Sequence, residues 1–153
     1  MKLHAATGMT ATTFALLAAT TAFAAAQSSA PASIPPEHRA GEVTYVSGGI
    51  GHDEALAMKR AARDYPLEVV FVQKSGTHQQ YLADMPVVIK DAHGKVVFEG
   101  RSEGPYFLAR LPEGRYRVST HWNSWSFSRP VNVGAKPQSV VFEWKQAPSK
   151  SSS

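Results

Sequence analysis

From Leu67 onward the chain alternates. Leu67, Val69 and Phe71 are interleaved with Glu68, Val70 and Val72, and a period of two places successive side chains on opposite faces of an extended strand. Stretches of the same kind occupy residues 81–83, 86–91, 95–100, 106–111, 115–121, 125–131 and 139–144, with one more upstream at 42–47. Turn chemistry separates them: Ser75-Gly76, Asp91-Ala92-His93-Gly94, Gly104-Pro105, Leu111-Pro112-Glu113-Gly114, Asn123-Ser124 and Gly134-Ala135-Lys136-Pro137. Short strands with one apolar face each must bury that face against a second sheet. The pattern therefore predicts a mainly β fold, a Greek-key β-sandwich of about seven strands.

One segment breaks this rhythm. Ala55, Met58, Ala62 and Tyr65 recur at helical spacing, with Lys59, Arg60 and Arg63 on the polar side. The spacing predicts a helix over 53–64, opened by Asp53 and Glu54 at the positive end of its dipole and stopped by Pro66. Gly48, Gly49 and Gly51 supply the sharp turn from the preceding strand into it.

The N-terminus follows a third pattern. A basic start at Lys2 and His4 leads into an acid-free apolar run through Phe14, Leu16, Leu17 and Phe23, closed by Ala24 and Ala26. The run falls short of the roughly 20 residues that cross a bilayer, and the Ala-x-Ala ending fits signal peptidase. Residues 1–26 are thus expected to be a cleaved signal peptide, which places the mature protein in the periplasm or outside the cell. Pro31, Pro35 and Pro36 mark 27–41 as a flexible leader, 42–145 as the single domain including the helix, and 146–153 as a disordered tail.

Composition narrows the function. The chain has no cysteine, which excludes a lipid-modified N-terminus, a disulfide framework and thiolate chemistry. Its formal net charge of +4 comes from interspersed residues, so neither charge nor compartment favours nucleic acid. No transmembrane segment is expected once the signal is removed.

Several residue groups are candidate sites. The turn Gly48-Gly49-Ile50-Gly51 stands between strand and helix as phosphate-binding loops do, yet Glu54 occupies the third-glycine position and Asp53 adds a second carboxylate. Both repel a phosphate. His52, Asp53 and Glu54 form the densest set of potential metal ligands, but no histidine pair has a spacing that brings two onto one face. Ser47 precedes two glycines without the Gly-x-Ser-x-Gly pattern of a nucleophile elbow. No catalytic residue and no cofactor are expected. Among the aromatics, Trp122 and Trp125 flank the Asn123-Ser124 turn, where they can stack on sugar rings. Trp125 with Phe127, and Trp144 with Phe142, also share strand faces, the phase of core residues. Arg115, Arg117 and Ser119 line the outward face of one strand, with Arg110 and Arg129 candidates for the same basic patch.

The segment 86–97, then Gly104-Pro105-Tyr106, then Leu111-Pro112-Glu113-Gly114-Arg115-Tyr116-Arg117-Val118 resembles the carboxypeptidase regulatory-like domains of the transthyretin-like β-sandwich superfamily. The resemblance covers roughly 67–144 and implies a sandwich in which Gly114 turns the chain and the Tyr116 hydroxyl anchors on nearby backbone, as in a tyrosine corner. Residues 45–67 look like those of small secreted proteobacterial proteins that carry this domain. The superfamily's urate-pathway hydrolases end in Tyr-Arg-Gly-Ser, which this sequence lacks, so their chemistry does not transfer.

The sequence thus leads to a non-catalytic periplasmic binding or scaffolding module whose partner is a protein or a cell-envelope glycan. Two alternatives stay open: glycan binding through Trp122, Trp125 and the Arg115/Arg117 face, and metal or hydrolytic chemistry at His52, Asp53 and Glu54. The export reading has a direct check. N-terminal sequencing of the chain recovered from the periplasm of an expressing host is expected to begin at Gln27, and a start at Met1 refutes it.

Overall fold

The computed structural model describes residues 33–145. The expected signal peptide, the first part of the leader and the tail lie outside the described residues. The described chain forms ten strands and one helix in the order β1 (His38–Ala40), β2 (Val43–Gly48), α1 (His52–Ala61), β3 (Leu67–Ser75), β4 (His78–Tyr81), β5 (Met85–Asp91), β6 (Val96–Ser102), β7 (Tyr106–Arg110), β8 (Gly114–Trp122), β9 (Trp125–Val133) and β10 (Gln138–Lys145). A 3-10 turn, Ala62–Asp64, continues α1. The strands make two sheets, and about seven become ten partly because β1 and β4 are short additions to one of them. That larger sheet runs β1-β2-β7-β3-β10, with β4 also on β3; the smaller runs β6-β5-β8-β9. All pairs are antiparallel except β3 with β10, which run parallel from Leu67↔Gln138 to Lys74↔Lys145.

The layers follow from which faces are apolar. Phe71, Phe107, Phe142 and Trp144 of the larger sheet and Val87, Ile89, Phe98 and Val118 of the smaller one meet in one core. Tyr45, Phe98 and Phe107 cluster there with ring centroids 4.8 to 5.4 Å apart, and Phe71 stacks on Phe142 at 6.0 Å. A second core lies on the other face of the larger sheet, where Val46, Val70, Val72, Tyr106 and Leu108 pack against Met58 of α1. The larger sheet is therefore a middle layer. Its β3 reads Leu-Glu-Val-Val-Phe-Val because both faces are covered, whereas β5 alternates because its outward face meets water. Pro130 is tolerated in β9, which is an edge strand.

Three local expectations change. The leader was expected to lack regular structure as far as Gly41, but His38–Ala40 pairs with β2 and Ile34 packs on the second core. Its anchor is Glu37, whose Oε1 accepts from the Tyr65 hydroxyl at 2.5 Å and from Arg110 Nη1, while the Arg110 guanidinium lies 4.0 Å from the centre of the Tyr65 ring. These partners are distant in sequence and invisible to local pattern. The helix starts at His52 and tightens to 3-10 geometry at Ala62 within the expected span. The strand expected at 81–83 lies instead at His78–Tyr81, because the turn after Ser75 folds it directly back on β3 in the register Ser75↔His78 to Val72↔Tyr81.

The hydrogen bond from Tyr65 and then the Arg110 guanidinium hold the Glu37 carboxyl below its ordinary value of 4.5. A lowered carboxyl contributes its stabilisation above its unfolded pKa and loses it as pH falls through the folded one. Hydrogen-exchange protection of the β1 amides is accordingly expected to drop when pH is taken from 6 toward 3, relative to β7, and the Glu37→Gln variant to show no such step. Equal pH dependence in both proteins refutes the role of Glu37 as the anchor of β1.

Candidate functional site

Trp122 closes β8 and pairs with Trp125 at the start of β9. The two-residue connection between them is made possible by Asn123, which holds φ at +54, a left-handed conformation that asparagine tolerates better than most residues. Beneath this hairpin, Trp144 near the end of β10 is buried. Its ring meets Phe127 edge to face at 5.2 Å and Trp122 at 6.1 Å. Trp125 lies over Phe127 in a stacked arrangement at 6.5 Å and is 62% exposed. Together these four rings bound a cleft of about 470 Å³, rimmed by Gln73, Asn123, Glu143 and Lys145. Glu143 is tied to Lys74 at 2.8 Å, which leaves the Lys145 ammonium as the cation of the rim.

Of the two readings open for Trp125, stacking surface or core, the core reading drawn from its phase with Phe127 fails, and the reason is positional. Trp125 does share a face with Phe127, but it sits at the hairpin tip, past the cover that the larger sheet gives. Trp144, in phase with Phe142, is core as expected. Sequence reading missed Phe127, Gln73, Glu143 and Lys145 as cleft residues; the available signal was that Phe127 and Trp144 continue the inward faces of two strands toward the same end of the sandwich.

The arginines do not join this cleft. Arg115 and Arg117 lie on the outward face of β8, beside Asp91 and Pro130. Five to seven residues of strand separate them from Trp122, roughly 20 Å at 3.3 Å per residue, and Trp122 has the opposite face parity. Arg129 pairs with Val118, so it shares the parity of the inward face, and Arg110 belongs to the other sheet, on Glu37. The basic patch drawn from all four is therefore split across the molecule. At the start of β8 the Tyr116 hydroxyl donates to the Pro112 carbonyl at 2.7 Å, across the turn that Gly114 completes.

His52, Asp53 and Glu54 occupy the first turn of α1, but their roles diverge. The Glu54 carboxylate accepts from the amides of Gly49 at 2.7 Å and Ile50 at 3.3 Å, so it ties down the glycine turn. His52 and Asp53 face solvent. Among the described residues, no group of three or more His, Cys, Asp or Glu side chains comes close enough together to hold a metal ion. Gly49 itself has φ +95, and a Cβ there would stand 2.4 Å from the Tyr106 ring, so neither backbone nor space admits a side chain. Gly48 is similarly confined, between Glu54 and Pro35, while Gly51 has open space around it.

A second cleft, of about 440 Å³, opens beside this turn on the opposite face of the larger sheet from the first core. Ile50, Leu56, Lys59, Tyr81 and Tyr106 line it. The Lys59 ammonium lies 5.8 and 5.9 Å from the ring centres of Tyr81 and Tyr106. No helix among the described residues is long and apolar enough to cross a membrane.

No family model matches the chain, and no curated protein matches it. Among solved structures, it is similar to GBS52, the minor pilin of the Gram-positive pathogen Streptococcus agalactiae, with a TM-score of 0.46 and 14% identity. The superposition covers 57% of this chain and 46% of the pilin chain.

The divergence within the first helical turn is measurable. Glu54→Ala is expected to destabilise the domain by about 1–2 kcal/mol, the range for hydrogen bonds to a charged acceptor reduced for partial exposure. His52→Ala and Asp53→Ala are expected to stay within about 0.5 kcal/mol of the parent. Urea unfolding of the three variants decides; a larger effect at His52 or Asp53 than at Glu54 contradicts the assignment.

Proposed function

We propose that this protein is a non-catalytic binding module exported to the periplasm or beyond, and that its ligand is a carbohydrate of the cell envelope taken up by the aromatic cleft. The observation that carries this reading is Trp125, a large apolar ring left 62% exposed and stacked over Phe127 at the mouth of the cleft. An exposed tryptophan ring presents a large, rigid apolar face that a flat apolar partner can cover. The C–H face of a pyranose is such a partner. Asn123, Glu143 and Lys145 on the rim are suited to exchange hydrogen bonds with ring hydroxyls, and the cleft volume falls within the range of small-molecule sites.

The rigid sandwich supports this use. Both walls of the cleft stand on paired strands rather than free loops, so the rings are pre-positioned and little conformational entropy is lost on binding. The Tyr116–Pro112 bond accords with the resemblance to carboxypeptidase regulatory-like domains, a fold used as a non-catalytic module in many settings. The Arg115/Arg117 face, being remote from the cleft, is assigned no part in sugar contact.

Affinity electrophoresis against soluble envelope polysaccharides tests the reading. The parent is expected to be retarded by at least one of them, and Trp125→Ala to lose about tenfold in affinity, the equivalent of one stacked ring. Trp125 is exposed, so the variant keeps the fold, and its unfolding curve should match the parent's. Arg115→Ala is expected to bind as the parent does. No retardation of the parent by any glycan, or equal retardation of parent and Trp125→Ala, overturns the proposal.

A further inference from the structure

The second cleft carries an inference independent of the first. Three large apolar side chains border it in exposed positions: Ile50 at 64%, Tyr81 at 45% and Leu56 at 38%. Ile50 sits between two glycines in a turn whose shape is set by Glu54 and Tyr106, so its side chain is held out in water by a rigid base. Clustered exposed apolar groups on a folded chain mark a contact surface.

Charge specifies the partner. The solvent face of α1 and its 3-10 continuation presents Lys59, Arg60 and Arg63, all exposed. Of the acids on this segment, Glu54 is spent on backbone amides, Asp53 lies at the first turn and Asp64 at the far end. Three cations thus occupy the middle of the face, next to the apolar residues. Lys59 also folds its ammonium over the Tyr81 and Tyr106 rings, an arrangement that keeps a cation at the edge of an apolar cleft.

We propose that this face docks on an anionic lipid surface. Ile50 and Leu56 enter the boundary between headgroups and acyl chains, the Tyr81 ring sits at headgroup level, and Lys59, Arg60 and Arg63 meet the phosphates. Apolar side chains flanked by an interfacial aromatic and basic residues are the composition by which peripheral proteins bind membranes, and each cation adds to the attraction only where the surface is negative. A neutral apolar partner leaves the three cations without counterpart, and an acidic partner alone leaves Ile50 and Leu56 exposed. The lipid interface satisfies both. The aromatic cleft lies on the other side of the larger sheet and stays open while this face is docked.

Co-sedimentation with vesicles tests it. The parent is expected to pellet with vesicles of phosphatidylglycerol and phosphatidylcholine in equal parts, to stay in the supernatant with phosphatidylcholine alone, and to be released by raised salt. The pair Lys59→Gln and Arg60→Gln is expected to weaken binding by more than about tenfold, and the pair Ile50→Asn and Leu56→Asn to do the same with unchanged unfolding curves, since all four side chains are exposed. Parent and variants share the same N-terminus, so their difference reports on this face alone. Absence of binding to the anionic vesicles, equal binding to both vesicle types, or parent-like binding of the Ile50/Leu56 pair overturns the proposal. Capture of a protein through Ile50 and Leu56 in place of vesicles overturns it as well, and assigns the face to a protein partner.

Discussion

Everything in this molecule depends on a sheet that is buried on both faces. β3 and β7 lie at the centre of the larger sheet, and each gives one set of side chains to the sandwich core and the alternate set to the core under α1. Phe107 and Ala109 face one way, Tyr106 and Leu108 the other. Burying a large apolar side chain stabilises by about 1.5–3 kcal/mol, and these strands do so at nearly every position. A chain with no disulfide relies on such double burial to hold a fold of this size.

The second core explains why the helix stands where it does. Met58 is fully buried on the outer face of the sheet, and Tyr65, also buried, holds the segment before β1 through Glu37. The glycine turn, Glu54 and Tyr106 form the joint at the other end. That joint fixes Ile50 in the open and Lys59 above the tyrosines, so the packing that stabilises the fold also creates the second cleft. The first cleft has the same kind of origin, since its floor, Trp144, is a core residue whose ring continues past the edge of the cover.

Much of this was readable along the chain, and what was not has physical reasons. Alternation at β5 and β8 revealed strands with one wet face, and their boundaries fall close to where the pattern put them. The segment from Leu67 to Val72 was read as alternation with one buried face, yet Val70 and Val72 are buried as well, because periodicity alone does not say what covers the second face. Glu54 was visible as an acid at a helix start, but its bond to two amides depends on the φ of Gly49. Glu37 was hidden among prolines, and its partners lie 28 and 73 residues away. Trp125 was in phase with core residues and is nonetheless exposed, because phase tells which face a residue takes and not how far the opposite sheet extends over it.

The parallel pairing of β3 with β10 joins residues about half the chain apart, from Leu67 to Gln138 and onward. Contacts between remote segments form late, because the loop between them must close before the contact stabilises anything. Phe71 receives its stacked partner Phe142, and the cleft its floor at Trp144, only when the last strand seats. During synthesis the middle sheet therefore stays incomplete on one edge until β10 has emerged. Core closure and creation of the aromatic cleft are one event, so a molecule that has the cleft is a molecule that has finished folding.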